Sequence, residues 1–220
     1  RRIEQLGVPG LIFINKIDTL GEAHVRDMLE ALQLQSRRPL VLRQVPIREN
    51  GTIAGYVDLV SERAYRYRRG QASEIVRMPT AVEAREREAR TQLAETLADH
   101  DDALLEKLLE DALATPDDLY RVMHTDLAQG AVDAVLLGAA DRGGGVRRLW
   151  KALRHDTPDF AETAARRALS AERDAAIAQV FRTQHTGHGG KLSFARIWNG
   201  TIRDGAMLDG VRLGGIWHFQ

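Results

Sequence analysis

Cysteine is missing from all 220 residues, which excludes disulfide staples and thiolate metal sites and makes a reducing compartment, by default the cytoplasm, the expected setting. Long apolar runs are missing too. No stretch approaches the roughly 20 residues that cross a bilayer, and the opening Arg1-Arg2-Ile3-Glu4-Gln5-Leu6 has no apolar stretch of signal-peptide length behind its charges. An excess charge of one sign is also lacking. With 31 Lys and Arg against 31 Asp and Glu, no net field draws the chain to a membrane surface or to bulk nucleic acid, and an RNA-rich partner would need local basic patches. No internal repeat and no oligomer seam is evident, so a monomer is expected. What is present suffices for at least one sizeable core, since 44% of the residues are apolar, and the length admits one or two domains.

Residues 9–14 form a short apolar run between a Pro-Gly pair and a polar motif, the pattern of a strand buried on both faces. Beyond Gly21, the positions Val25, Met28, Leu29 and Leu32 recur at helical spacing. Residues 40–67 change character, with Val41, Val45, Ile47, Ile53, Tyr56, Val57, Leu59 and Val60 grouped around the turn signal Glu49-Asn50-Gly51, which predicts strands in hairpins. Residues 81–114 read as helical and charged, with Leu104, Leu105, Leu108, Leu109 and Leu113 on one broad face. Thr115-Pro116-Asp117-Asp118 reads as a helix start and the helix should run to about Gln129. A second apolar run, 132–137, closes on Gly138-Ala139-Ala140, and Val146, Leu149, Trp150 and Leu153 predict an amphipathic helix behind three glycines. Residues 155–173 read as a linker or a poorly anchored helix. Residues 176–183 and 191–198 read as paired strands opening an all-β domain.

The sharpest chemical signal is Asn15-Lys16-Ile17-Asp18, placed directly after the first apolar strand and before an amphipathic helix. Guanine presents two adjacent donors, N1 and the exocyclic N2, which one carboxylate accepts together, and Asp18 is the candidate for that role. The methylene stem of Lys16 can lie along the base with its ammonium in water, while Asn15 ties the motif to neighbouring loops and reaches the base edge. Adenine offers no such donor pair and would leave a desolvated carboxylate unmatched. Gly138-Ala139-Ala140 ends the second strand in the corresponding place, where small residues let backbone N–H groups approach the guanine O6.

These residues carry a resemblance. Asn15-Lys16-Ile17-Asp18, Gln44-Val45-Pro46-Ile47, Gly55-Tyr56-Val57-Asp58-Leu59-Val60 and Gly138-Ala139-Ala140 with Gly145-Val146 look like consecutive landmarks of the elongation factor G family of translational GTPases. Ala178-Gln179-Val180-Phe181-Arg182-Thr183, Gly190-Lys191-Leu192-Ser193 and Trp198-Asn199-Gly200-Thr201 are similar to the start of that family's second domain. The resemblance covers nearly the whole chain and is nearest to the bacterial elongation-factor-G-like paralogues.

It implies an α/β fold: the C-terminal part of a P-loop GTPase domain with an inserted α+β subdomain, followed by the start of a β-barrel. The corresponding segments are 1–42 and 130–156 for the GTPase parts, 43–129 for the insertion, 157–174 for a linker and 175–220 for the barrel. It further implies GTP or GDP as ligand, the ribosome as partner, and GTP hydrolysis with Mg2+ by the parent protein. One departure is Ala139, where the family usually carries Ser. No Gly-X-X-X-X-Gly-Lys-Ser/Thr phosphate loop and no magnesium-holding switch segment occurs in the sequence, so the chain reads as an internal fragment, inactive by itself. The alternative is a non-catalytic protein- or RNA-binding module with a vestigial base pocket.

Three weaker signals remain. His185 and His188 have no third ligand nearby and read as a hairpin tip. The alternating charges of 83–90 read as a solvated helix face. Arg63, Arg66, Arg68 and Arg69, interleaved with Tyr65 and Tyr67, form a candidate RNA contact.

Overall fold

Residues that read as buried parallel strands and residues that read as hairpins go to different sheets. A computed structural model of the chain describes residues 2–20, 25–169, 176–187 and 190–218. They divide into two units, 1–158 and 159–220.

The first unit begins with helix α1 (Arg2–Gln5), strand β1 (Leu11–Ile14), helix α2 (Val25–Gln33) and strand β2 (Leu40–Leu42). A four-stranded antiparallel sheet follows, β3 (Gln44–Glu49), β4 (Thr52–Asp58), β5 (Arg63–Arg66) and β6 (Glu74–Val76), in sequential order. The β3–β4 turn has positive φ at both Asn50 and Gly51, the I′ geometry that suits strand twist and that Asn-Gly tolerates. Helices α3 (Thr80–Ala98), α4 (Asp102–Leu109) and α5 (Pro116–Gln129) come next, then strand β7 (Asp133–Leu137) and helix α6 (Val146–His155). The start of α5 is as expected: Thr115 Oγ1 accepts from the Asp118 N–H and the Asp118 carboxylate accepts from the Thr115 N–H, a reciprocal cap behind a first-turn proline.

Strand β7 lies between β1 and β2, parallel to both. All five of its residues are buried. In β1 only Ile14 is fully buried, because among the described residues that strand pairs with β7 alone, so the expectation of burial on both faces fails for residues 9–14. The crossing from one sheet to the other occurs at residues 43 and 44. Arg43 N–H still donates to the Val135 carbonyl (3.0 Å), and the next donor of β7, Leu137 N–H, is taken up by the buried Gln44 side chain (Oε1, 2.7 Å).

Two helix faces differ from expectation. In α4 only Leu104 is fully buried; Leu109 is 77% exposed and Leu113, beyond the end of the helix, 90%, so the leucine run does not make one packed face. In α6 the inward residues are Arg148 and Ala152, while Trp150 and Leu153 are exposed, because the helix packs on buried acidic partners that a hydrophobic pattern cannot register. Helix α3 is not wholly solvated either. Glu86 is buried, and the Arg90 guanidinium donates to the carbonyls of Leu59, Val60 and Ala114.

In the second unit, helix α7 (Phe160–Arg166) occupies part of the stretch read as a linker, started by a capping box between Asp159 and Glu162. Strands β8 (Ile177–Thr186) and β9 (Gly190–Asn199) form an antiparallel hairpin, and β10 (Met207–Leu208) pairs with β11 (Val211–Arg212). Phe160 stacks on Trp198 with ring centroids 5.3 Å apart, which seats α7 on the hairpin.

Candidate guanine-binding site

Strands β1 and β7 run in register, Ile14 opposite Leu137, so their carboxyl ends deliver residues 15–18 and 138–145 side by side. In open α/β sheets this is where ligands sit. The ladder continues past the strand ends: Gly138 N–H donates to the Ile14 carbonyl (3.0 Å) and Ile17 N–H to the Gly138 carbonyl (3.2 Å). Asn15 Oδ1 accepts from the Ala140 N–H at 2.9 Å, the loop-tying role its residue type suggested.

Between these ties Lys16 adopts a left-handed conformation (φ 61°, ψ 30°), uncommon for a residue with a Cβ. The turn sends Ile17 inward, where it is 1% exposed, and leaves Asn15 and Lys16 at the surface. Burying that isoleucine stabilises by about 1.5–3 kcal/mol, enough to offset the roughly 1–2 kcal/mol cost of the left-handed residue. Thr19 fixes the turn further, since its N–H and its hydroxyl both donate to the Lys16 carbonyl.

The opposite loop is tight for steric reasons. A Cβ on Gly138 would lie 2.1 Å from Phe13 Cζ and 2.7 Å from the Gly144 carbonyl oxygen, and one on Gly145 would lie 2.3 Å from the Leu137 carbonyl oxygen. Ala139 and Gly144 exchange reciprocal backbone hydrogen bonds (2.9 and 3.0 Å), closing the loop with the Ala139 methyl inside it. The N–H groups of Gly138, Ala139 and Ala140 therefore all have protein acceptors. An oxygen of a base would have to share the Ala140 N–H with Asn15. Behind the loop, Gly144 leaves room for the Tyr67 ring, which a Cβ there would meet at 3.4 Å.

Asp18, only 14% exposed at its side chain, forms an ion pair with Arg142, Oδ2 to Nε at 3.0 Å. The carboxylate assigned to a pair of guanine N–H groups is thus held by a guanidinium from the facing loop. Arg142 was missed from the sequence; its one signal is a charge two residues beyond Ala140. The other weak candidates find different uses. Arg66 and Arg68 pair with Glu49 and Glu74 (2.5 and 2.6 Å), Tyr65 stacks on Tyr56 (centroids 5.1 Å), and the Tyr67 hydroxyl is buried without a hydrogen-bond partner. His188 lies outside the described residues, and among those described no group of three His, Cys, Asp or Glu side chains is placed to hold a metal.

A second polar cluster is buried. Arg43, Asp58, Arg148 and Asp156 are each no more than 9% exposed. Arg43 Nη1 donates to Asp156 Oδ2 (2.7 Å) and Arg148 Nε to Asp58 Oδ2 (2.9 Å). Burial opposes ionisation of Asp58, but Arg43 and Arg148 outweigh it and hold its carboxyl below the usual range.

Comparison with known proteins bears on the resemblance. Over 216 residues the chain is 40% identical to the elongation factor G-like protein of Synechocystis sp. (strain ATCC 27184 / PCC 6803 / Kazusa), a match covering 98% of this chain and 32% of that protein. The chain is similar to elongation factor G-like proteins along almost all of its own length. Elongation factor G of Rhodopirellula baltica is 29% identical over 218 residues, covering 93% of this chain and 31% of that protein. A crystal structure of a Thermus thermophilus protein superposes with a TM-score of 0.78 at 26% identity, covering 96% of this chain and 31% of that one. No protein-family model matches the chain. The chain spans about a third of the length of the elongation factors it matches.

Proposed function

We propose that this chain is the guanine-reading portion of a translational GTPase of the elongation factor G type, whose complete form binds GTP and GDP and hydrolyses GTP while acting on the ribosome in the cytoplasm. The observation that carries the reading is the meeting of Asn15, Lys16 and Asp18 with the 138–142 loop at the adjacent carboxyl ends of β1 and β7. On this reading residues 1–42 and 130–156 belong to the GTPase domain, 43–129 to an insertion and 175–220 to the start of a β-barrel, joined by 157–174. Asp18 accepts from guanine N1 and N2 after releasing Arg142, the Lys16 stem lies along the base, and Gly138, Ala139 and Ala140 line its O6 side. The residues here do not fit magnesium or a triphosphate: the sequence has no phosphate loop and the described residues hold no metal-ligating group, so no hydrolytic step is assigned to them.

The test is Asp18→Asn in the complete protein, where a phosphate site can restore affinity. The substitution places a donor against a donor, so GTP binding should fall by roughly 30- to 1,000-fold, or about 2–4 kcal/mol. Xanthine has an oxygen where guanine has its amino group, so xanthosine triphosphate should bind the variant better than the wild type. Unchanged preference for GTP would remove Asp18 from the base site and leave the non-catalytic binding module as the better reading.

A further inference from the structure

A cavity of about 290 Å3 opens against the buried ion cluster, between α5 and α6, and Arg43 and Asp156 line it. Its volume is at the small end of ligand sites. The Arg43 guanidinium, 1% exposed at the side chain, uses Nη1 towards Asp156 Oδ2 (2.7 Å) and Met123 Sδ (3.0 Å), and its plane approaches the Tyr120 ring at 5.7 Å. Its Nε and Nη2 are buried with no hydrogen-bond partner. Protein interiors rarely leave a charged donor short of acceptors, because the desolvation cost then falls on the fold unrelieved.

The charges around the cavity lean the same way. Arg43, Arg148 and Lys151 line it against one carboxylate, Asp156, which Arg43 and Arg148 already share (2.7 and 3.6 Å). Counting Asp58 on the far side of Arg148 still leaves an excess of one positive charge. Two imidazoles, His124 from α5 and His155 at the end of α6, also line the cavity. Lys151 and His155 are exposed and sit where a ligand would enter. In a chain with no net charge, this is a concentrated positive pocket around an arginine short of acceptors.

We infer that this cavity binds a phosphate-type oxyanion, held by Arg148, Lys151 and the two histidines above the buried, only partly compensated charge of Arg43. A tetrahedral oxyanion suits the set better than a carboxylate, since donors converge from α5, α6 and the β2–β3 junction and three or four oxygens can be used at once. The site lies apart from the Asp18 loop and does not depend on the guanine reading. Its occupant would bridge α5 to α6, the helix that follows the base loop.

The 220-residue chain tests this cleanly, because it carries no phosphate-loop motif to compete for the probe. Inorganic phosphate and pyrophosphate, titrated at constant ionic strength, should shift the imidazole signals of His124 and His155 and raise the melting temperature, with acetate and chloride doing neither. Lys151→Glu, at an exposed position, should weaken phosphate binding by about tenfold or more, and Lys151→Arg should retain it. Arg43→Met should abolish it; if that variant does not fold, the Lys151 pair decides alone. Acetate or chloride acting as strongly as phosphate, or Lys151→Glu binding like the wild type, would overturn the proposal.

Discussion

Two polar sites hang on the same strand and helix, and they solve opposite problems. At the carboxyl end of β7 the side chains of Asn15, Lys16 and Arg142 face water, held in place by backbone hydrogen bonds and by glycines that exclude a Cβ. Beneath α6, Arg43, Asp58, Arg148 and Asp156 are withdrawn from water and pair with one another, Arg43 with Asp156 and Arg148 with Asp58. The first site keeps its groups available to a ligand because the scaffold is made of main chain. In the second the charged groups are themselves the scaffold, joining residues as far as 113 apart in sequence.

The sharpest way to break this contrast is to remove one polar side chain from each site. Arg148→Met leaves Asp58 and Asp156 buried beside Arg43 alone and should destabilise the first unit by about 3–5 kcal/mol, read from denaturant unfolding. Replacing all four charged residues with apolar side chains of similar volume should cost far less than that single change. If Arg148→Met unfolds like the wild type, the cluster is not the interior scaffold described above. Asn15→Ala removes one tie to the Ala140 N–H at an exposed position and should leave stability within about 1 kcal/mol. Its effect should appear instead as a roughly 5- to 100-fold loss of GTP affinity in the complete protein, because the facing loop loses its anchor.

Arg142→Ala should produce the smallest change. An ion pair with a partner 70% exposed contributes at most about 1 kcal/mol, so freeing Asp18 should tighten GTP binding by no more than about fivefold, most visibly at low salt. A large loss of GTP affinity would instead make Arg142 a direct contact to the nucleotide.

The same contrast explains what was legible in the sequence. Asn15, Lys16 and Asp18 are contiguous, follow a strand and carry residue types that fit one chemistry, so the motif could be read together with the expected position of the facing loop. The turn at Asn50-Gly51 and the cap at Thr115 were legible because their chemistry is local. The buried cluster was invisible. Arg148 and Asp156 look like solvent residues in a helical pattern, and periodicity placed Trp150 and Leu153 on the inward face that Arg148 and Ala152 occupy. The leucines of α4 failed similarly: a hydrophobic stripe indicates a face that wants cover, and which part is covered depends on where α3 and α5 end. The pairing of Asp18 with Arg142 was missed because two loops meet there that are remote in the chain.

The crossing at Gln44 has a consequence for how one chain can feed two sheets. A strand that departs from a parallel sheet in mid-ladder strands the donors of its neighbour, and a buried amide without an acceptor costs about 1–3 kcal/mol. Here the Gln44 carboxamide stands in for the missing peptide group and accepts the Leu137 N–H at 2.7 Å, while the Gln44 main chain has already joined the other sheet opposite Asp58. One glutamine therefore works as a splice: the parallel sheet sees its ladder finished, and the antiparallel sheet begins at the same residue. The parallel sheet keeps its ladder through the crossing, so the strand beside it continues undisturbed to the loop that meets Asn15, while the antiparallel sheet stays joined to α6 elsewhere by Asp58 and Arg148.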